Sequence, residues 1–150
     1  MTDQPQIFPV VNPVAWTLPE YQILVALAFQ RNAPVSPHTA LHELEARTGM
    51  SGMSVLVGRD DGSKALTAMS VCFYPSSAFF PRAALYHFFC KGSDALRKAL
   101  VDAIIAKTTD MGYNEIETAN VNGKDAAFER LFRDVGLATR VGSLYRFDLG

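Results

Sequence analysis

The sequence is poor in the features that would assign it to a class at once. Its 150 residues hold two cysteines and one tryptophan, and only 19% of them are charged. Two cysteines in a chain this long do not make a disulfide scaffold. Cys72 and Cys90 each lie in an apolar, strand-like run, where a reduced thiol behaves as a small hydrophobe. That usage suits a reducing compartment, so a cytoplasmic setting is expected. No apolar run approaches the length of a membrane span, and the start of the chain lacks the basic-then-apolar order of a leader. An excess of either charge is missing too: 14 Lys and Arg stand against 15 Asp and Glu, a net charge of −1, which gives no sign of a general nucleic-acid binder and leaves room for no more than a local basic patch. Repeats and low-complexity tracts are absent. What remains is a hydrophobic content of 49%, enough to fill a core and too high for disorder, in a chain of the length of one domain, residues 1–150.

The organising stretch runs from Ala84 to Gly112. Leu85 to Cys90 is a short aromatic and apolar run ending at Lys91-Gly92, the pattern of a buried strand. Ser93 is a good N-cap, and Asp94 places negative charge in a first helical turn, where the helix dipole favours it. Leu96, Ala99, Leu100, Ala103 and Ile104 then recur with helical spacing as far as the Gly112 stop. A strand, a tight turn and a helix follow one another, and the helix presents its first amides beside the strand's end. Such a place suits an anion, although any α/β protein contains units of this kind.

The flanking segments complete the element order. Ile7 to Val11 reads as a strand confined to an edge by Pro9 and Pro13. Thr17-Leu-Pro-Glu20 is a capping-box pattern opening a helix to about Asn32, with Tyr21, Leu24, Val25, Ala28 and Phe29 on one face. Ser36-Pro37 opens a second helix with Leu41, Leu44 and Thr48 inward, and Gly49 to Met53 is a junction. Ser54 to Arg59 and Lys64 to Tyr74 form a hairpin about Asp60-Asp61-Gly62-Ser63. After the central unit come a strand from Asn114 to Val121, a helix from Asp125 to Val135 and one or two strands from Thr139 to Leu149. The expected fold class is α+β: a mixed, twisted sheet of about six to seven strands flanked by about four helices. The strands Leu85–Cys90 and Asn114–Val121 are expected side by side and parallel, because a helical crossover joins them.

This order, together with Asp125-Ala-Ala-Phe-Glu-Arg-Leu-Phe-Arg-Asp-Val-Gly-Leu137, resembles the GNAT superfamily of N-acetyltransferases. Aligned on Gly136, Asp125 stands where that family has Asn, Phe132 where it has Tyr, and Leu137 where it has Phe. The resemblance implies acetyl-CoA as cofactor and an amine of a small molecule or a protein as acyl acceptor. It implies a cofactor site on Phe89, Cys90, Lys91, Ser93, Ala95, Leu96, Arg97 and Lys98. Ala95 and Arg97 fall at the two small-residue positions of the phosphate loop, where the bulk of Arg97 could close the cradle or its charge could reach a phosphate. Glu117 is the first candidate for the base that takes the amine proton and His87 the second. Tyr86 or Tyr145 could supply the acid that Phe132 cannot. The alternative implied by the substituted positions is a non-catalytic GNAT-fold binding or structural protein, for example in a phage particle. A homo-oligomer or larger assembly stays open.

Other residues carry blander readings. Cys90, beside Lys91, is better explained as a structural thiol than as a nucleophile. His38 and His42 face one way on their helix but lack a third ligand, and a solvated pair is expected rather than a metal site. Phe79, Phe80 and Pro81 make an apolar loop that could pack under a substrate groove or meet a partner.

Overall fold

A computed structural model describes residues 4–30, 35–75 and 82–118. Five strands form one sheet in the order β1-β2-β3-β4-β5: β1 (Gln6–Pro9), β2 (Met53–Arg59), β3 (Ala68–Phe73), β4 (Arg82–Cys90) and β5 (Glu115–Glu117). The first four are antiparallel neighbours, whereas β4 and β5 run parallel, joined by the helical crossover α3 (Asp94–Asp110). The helices α1 (Pro19–Ala28) and α2 (Pro37–Arg47) complete the described elements, with a 3-10 turn over Pro13–Thr17. The fold is therefore mixed α+β, with five strands and three α-helices among the described residues. The helix expected from Asp125 and the strands expected from Thr139, with Phe132, Tyr145 and the loop residues Phe79, Phe80 and Pro81, lie outside them.

The sheet separates two cores. Leu56, Ala68, Cys72, Leu85 and Phe88 face α3, which returns Leu96, Leu100, Val101 and Ile104. Val55, Val57, Met69 and Val71 face the other way, towards Trp16, Leu24, Val25 and Phe29 of the N-terminal segment and Ala40 and Leu44 of α2. Alternation along β2 and β3 divides their side chains between the layers, as a strand with a period of two residues must. Side chains of β1 and α3 both crowd β2 at Gly58: a Cβ there would meet Ile7 Cδ1 at 2.5 Å and Leu96 Cδ1 at 3.2 Å.

Two boundaries differ from the sequence pattern for identifiable reasons. Thr17 does not cap α1. Its Oγ1 donates to the Val14 carbonyl inside the 3-10 turn, and Leu18 becomes an N-cap with no side-chain bond, while Pro19 tolerates the missing donor at the first helical position. The second arm of the hairpin begins as a strand at Ala68 rather than Lys64, because the Asp60–Ser63 turn is followed by further irregular residues before Thr67 N–H reaches the Gly58 carbonyl at 2.9 Å.

The tryptophan ties the N-terminal segment to α2. Trp16 is fully buried, and its Nε1–H donates to Thr48 Oγ1 at 2.8 Å. The two residues are 32 positions apart, so this bond closes a long loop in the same step that satisfies a buried donor. Replacing Thr48 with Val keeps the shape and strands the indole N–H. The expected cost is about 1–3 kcal/mol in urea unfolding followed by circular dichroism, with no change of m-value.

Candidate functional site

The site is built around β4, and β4 is irregular. Val71 pairs with His87 but Cys72 pairs with Leu85, so Tyr86 has no partner position on β3 and forms a β-bulge. The bulge changes which residues face which layer. Ala83 and Leu85 point into the α3 core, and after the extra residue Phe88 and Cys90 take over that side. His87 is thereby turned to the α1 side, where its ring stacks on Phe29 with centroids 4.1 Å apart.

On the opposite flank β5 pairs with β4 only over Arg82–Ala84 among the described residues, in the register Ala84 to Glu117. An Arg82–Glu115 ion pair of 2.8 Å holds the start of this pairing. Leu85 to Cys90 therefore continue past the last described partner residue. Glu117, half-buried, stands at that point, two residues along the pairing from Tyr86.

At its far end β4 leads through Lys91 and Gly92 into α3. Ser93 caps the helix by accepting the Leu96 N–H at 3.0 Å, and Arg97 N–H reaches the Ser93 carbonyl at 3.1 Å. A residue of the β2–β3 hairpin also enters this turn. Asp60 Oδ2 accepts the Ser93 N–H at 3.1 Å, and Asp60 Oδ1 accepts the Ser93 hydroxyl proton. Gly92 makes that approach possible, since a Cβ there would stand 2.7 Å from both Asp60 Oδ2 and Leu96 Cδ2. Asp94 and Ala95 are exposed, and among the described residues their amides have no hydrogen-bond acceptor.

The cations near the turn have distinct settings. Lys91 is exposed beside it, while Lys98 is engaged with Asp102 at 2.9 Å. Arg97 neither fills the turn nor points away from the protein. Its guanidinium spans from Asp94 Oδ1, at 3.0 Å, to the Cys90 carbonyl, at 3.3 Å, and its side chain is only 14% exposed.

The sequence-nominated residues thus separate into groups. Lys91, Ser93, Ala95, Leu96, Arg97 and Lys98 gather at the end of β4 and the first turns of α3, with Cys90 buried on the α3 side and Phe89 half-buried on the other. Glu117 and Tyr86 flank the point where the described β5 pairing ends. His87 sits inside the core with 0% exposure, behind Phe29, rather than at a surface where it could meet a substrate. Among the described residues neither ring nitrogen makes a well-formed hydrogen bond; burial holds its pKa down at about 4, outweighing the opposite pull of the nearby Ala28 backbone. Neither cysteine is in a disulfide, and burial pushes the Cys72 thiol up to about 12. No group of three or more potential metal ligands converges among the described residues.

Sequence reasoning passed over two parts of the site. Asp60 reads locally as a turn residue, and only the tertiary contact brings it to α3. The second is a cavity of about 230 Å³ between α2 and the sheet, lined chiefly by Phe29, Ala40, Leu44, Val71, Phe73 and Tyr86. The spacing Ala83, Leu85, Phe88, Cys90 was the one available sign that β4 does not alternate regularly.

No protein-family model matches the chain, and no curated protein matches it in sequence. Solved structures do share its fold. A ribosomal-protein-alanine N-acetyltransferase from Brucella melitensis biovar Abortus 2308 superimposes with a TM-score of 0.62 at 18% identity, over 97% of this chain and 99% of that one. The aminoglycoside N-acetyltransferase AAC(6')-Iy in complex with CoA does so with a TM-score of 0.68 at 10% identity, over 100% and 98%. An aminoglycoside 6'-N-acetyltransferase from Acinetobacter baumannii gives 0.63 at 14% identity, over 97% and 99%. At these identities the likeness is one of fold.

The buried imidazole makes stability depend on pH in a defined direction. The folded protein resists protonating His87 down to about pH 4, whereas the unfolded chain binds that proton near the ordinary value of 6.5. The unfolded state therefore binds more protons between these values, and stability falls as pH drops through that window. Relative to His87→Leu, the wild type is expected to lose up to about 3 kcal/mol between pH 7 and pH 4 in denaturant titrations. A constant difference between the two proteins across this range would contradict the assignment.

Proposed function

We propose that the protein is an N-acyltransferase that moves an acetyl group from acetyl-CoA to an amine. The observation that carries this reading is the arrangement along β4: a bulge at Tyr86, parallel pairing with β5 over Arg82–Ala84, and a helix opening at the strand's end. Support comes from the solved N-acetyltransferases that share the fold, one of them holding CoA. The same reading carries a single domain over residues 1–150 with the larger count of six to seven strands and four helices, and a cytoplasmic location. No helix among the described residues is long and apolar enough to cross a membrane.

The donors at the end of β4 fit an anionic group. The amides of Asp94 and Ala95 and the Lys91 ammonium would hold the cofactor's phosphates, in a turn shaped by Gly92, Ser93 and Leu96. Phe89 and Cys90 belong to the stretch of β4 along which its arm would lie. Arg97 and Lys98 supply positive charge, each already shared with a carboxylate. Asp60 and Asp94 oppose an anion there, so the affinity is expected to be modest. When bound, acetyl-CoA would supply an acyl group already activated as a thioester.

The chain's own groups then have to orient the amine and move two protons. Glu117 is the base that takes the proton of the attacking amine. The Tyr86 hydroxyl protonates the departing sulfur, with Tyr145 the alternative donor. A main-chain amide of β4 beyond Ala84 would polarise the carbonyl as negative charge develops on it. His87 acts at most through packing, since Phe29 covers it.

Two measurements test this reading. Calorimetry with acetyl-CoA is expected to give binding that weakens about fivefold in Lys91→Ala and tightens by a similar factor in Asp60→Asn, as one unit of charge near a helix N-terminus changes. No heat and no thermal shift for the wild type at millimolar acetyl-CoA would leave a non-catalytic protein of the same fold. In turnover assays with an accepted amine, Glu117→Gln is expected to lower kcat/KM at least about 100-fold while acetyl-CoA binding is unchanged. An undiminished rate would remove Glu117 from the mechanism.

A further inference from the structure

We propose that the acyl acceptor is a monoamine on a compact apolar body, of arylalkylamine size, seated in the cavity between α2 and the sheet. This inference rests on the acyltransferase reading for the chemistry, but the cavity and its chemical character stand independently of it.

The walls decide the character of the occupant. Phe29 closes one side, Ala40 and Leu44 of α2 another, and Val71, Phe73 and Tyr86 form the floor on the sheet. Phe73 and Tyr86 meet edge to face, with centroids 5.9 Å apart. These surfaces offer area for apolar contact and ring faces that attract a single cation. Among the described residues, the charged groups on the lining are Glu43 and Arg47, and they are paired with each other at 2.7 Å one turn apart on α2. A polyamine or an amino sugar would bring several charges and hydroxyls to a wall that has one carboxylate, already neutralised. Desolvating those groups there would cost more than it returns.

Size and position narrow the choice further. An apolar cavity of 150 Å³ holds benzene, so about 230 Å³ accommodates roughly nine non-hydrogen atoms, a ring with a short arm. Tyr86 is both a wall of the cavity and the bulged residue of β4. Glu117 lies across from Ala84 on β5, two residues from it. A body held in the cavity therefore sits beside the segment of β4 to which the reading above assigns the proton transfers, with Tyr86 facing it by the alternation that begins at Ala83.

The test uses 2-phenylethylamine and spermidine with the full chain. Calorimetry is expected to show 2-phenylethylamine bound at least tenfold more tightly than spermidine. Ala40→Leu, which fills the cavity with a good helix former, is expected to weaken 2-phenylethylamine at least tenfold with no loss of melting temperature. In case that variant fails to fold, NMR of the wild type provides a second readout: intermolecular contacts from the ligand ring to the Phe73 and Tyr86 rings are expected. Equal or tighter binding of spermidine, indifference to Ala40→Leu in a folded variant, or ligand contacts elsewhere would each overturn the proposal. The two inferences fail separately. If acetyl-CoA binds and is consumed with spermidine in preference to 2-phenylethylamine, the substrate class is wrong and the acyltransferase stands. If 2-phenylethylamine binds in the cavity and acetyl-CoA does not bind, the cavity assignment stands and the acyltransferase falls.

Discussion

One extra residue in β4 governs the arrangement of everything around it. A strand that kept strict alternation from Ala83 would send His87 and Phe89 into the α3 core and Phe88 to the opposite face. Skipping Tyr86 in the pairing with β3 exchanges those faces halfway along the strand. Phe88 and Cys90 can then join Leu96 and Leu100 in the core beneath α3, while His87 is free to stack on Phe29 and so to anchor the end of α1. Both layers depend on the same irregularity. Bulges also sharpen the local twist of a strand, which suits β4 to bordering an antiparallel neighbour on one side and a parallel one on the other.

The turn at the start of α3 shows how a site is balanced by residues distant in sequence. The helix dipole draws negative charge, and the chain supplies some of its own. Asp60 accepts from the Ser93 amide and hydroxyl, and Asp94 lies in the first turn with Arg97 bent back to it. These contacts settle the helix end without any ligand, and they leave only part of its amide set without an acceptor among the described residues. The same carboxylates that stabilise the turn reduce the field an incoming anion would feel.

Much of the fold was legible because it is written in short-range patterns. The Ser93 cap, the α3 stripe, the hairpin turn at Asp60-Asp61-Gly62-Ser63 and the parallel pairing of β4 with the strand after α3 follow from local chemistry and from the handedness of crossovers. Boundaries were less so. Thr17 had a capping-box neighbourhood, yet the 3-10 turn claimed its hydroxyl first. His87 carried a pattern compatible with catalysis, and nothing local announces that Phe29 will cover it. The cavity was illegible for a related reason: it is bounded by residues of α1, α2, β3 and β4, each of which reads as ordinary core in its own segment. Spacing within an element reveals a face, but a gap between faces arises only when the elements pack.

The burial of Trp16 also gives the molecule an optical label of restricted scope. With no other indole in the sequence, ultraviolet emission excited at the red edge of the aromatic band reports on one side of the sheet alone. An enclosed, hydrogen-bonded indole emits at shorter wavelength than a hydrated one, so loosening of the N-terminal segment from α2 would appear as a red shift. Loosening of α3 would leave the colour unchanged. Two halves of a single sheet that look equivalent in backbone spectroscopy are therefore distinguishable by light, with no probe attached.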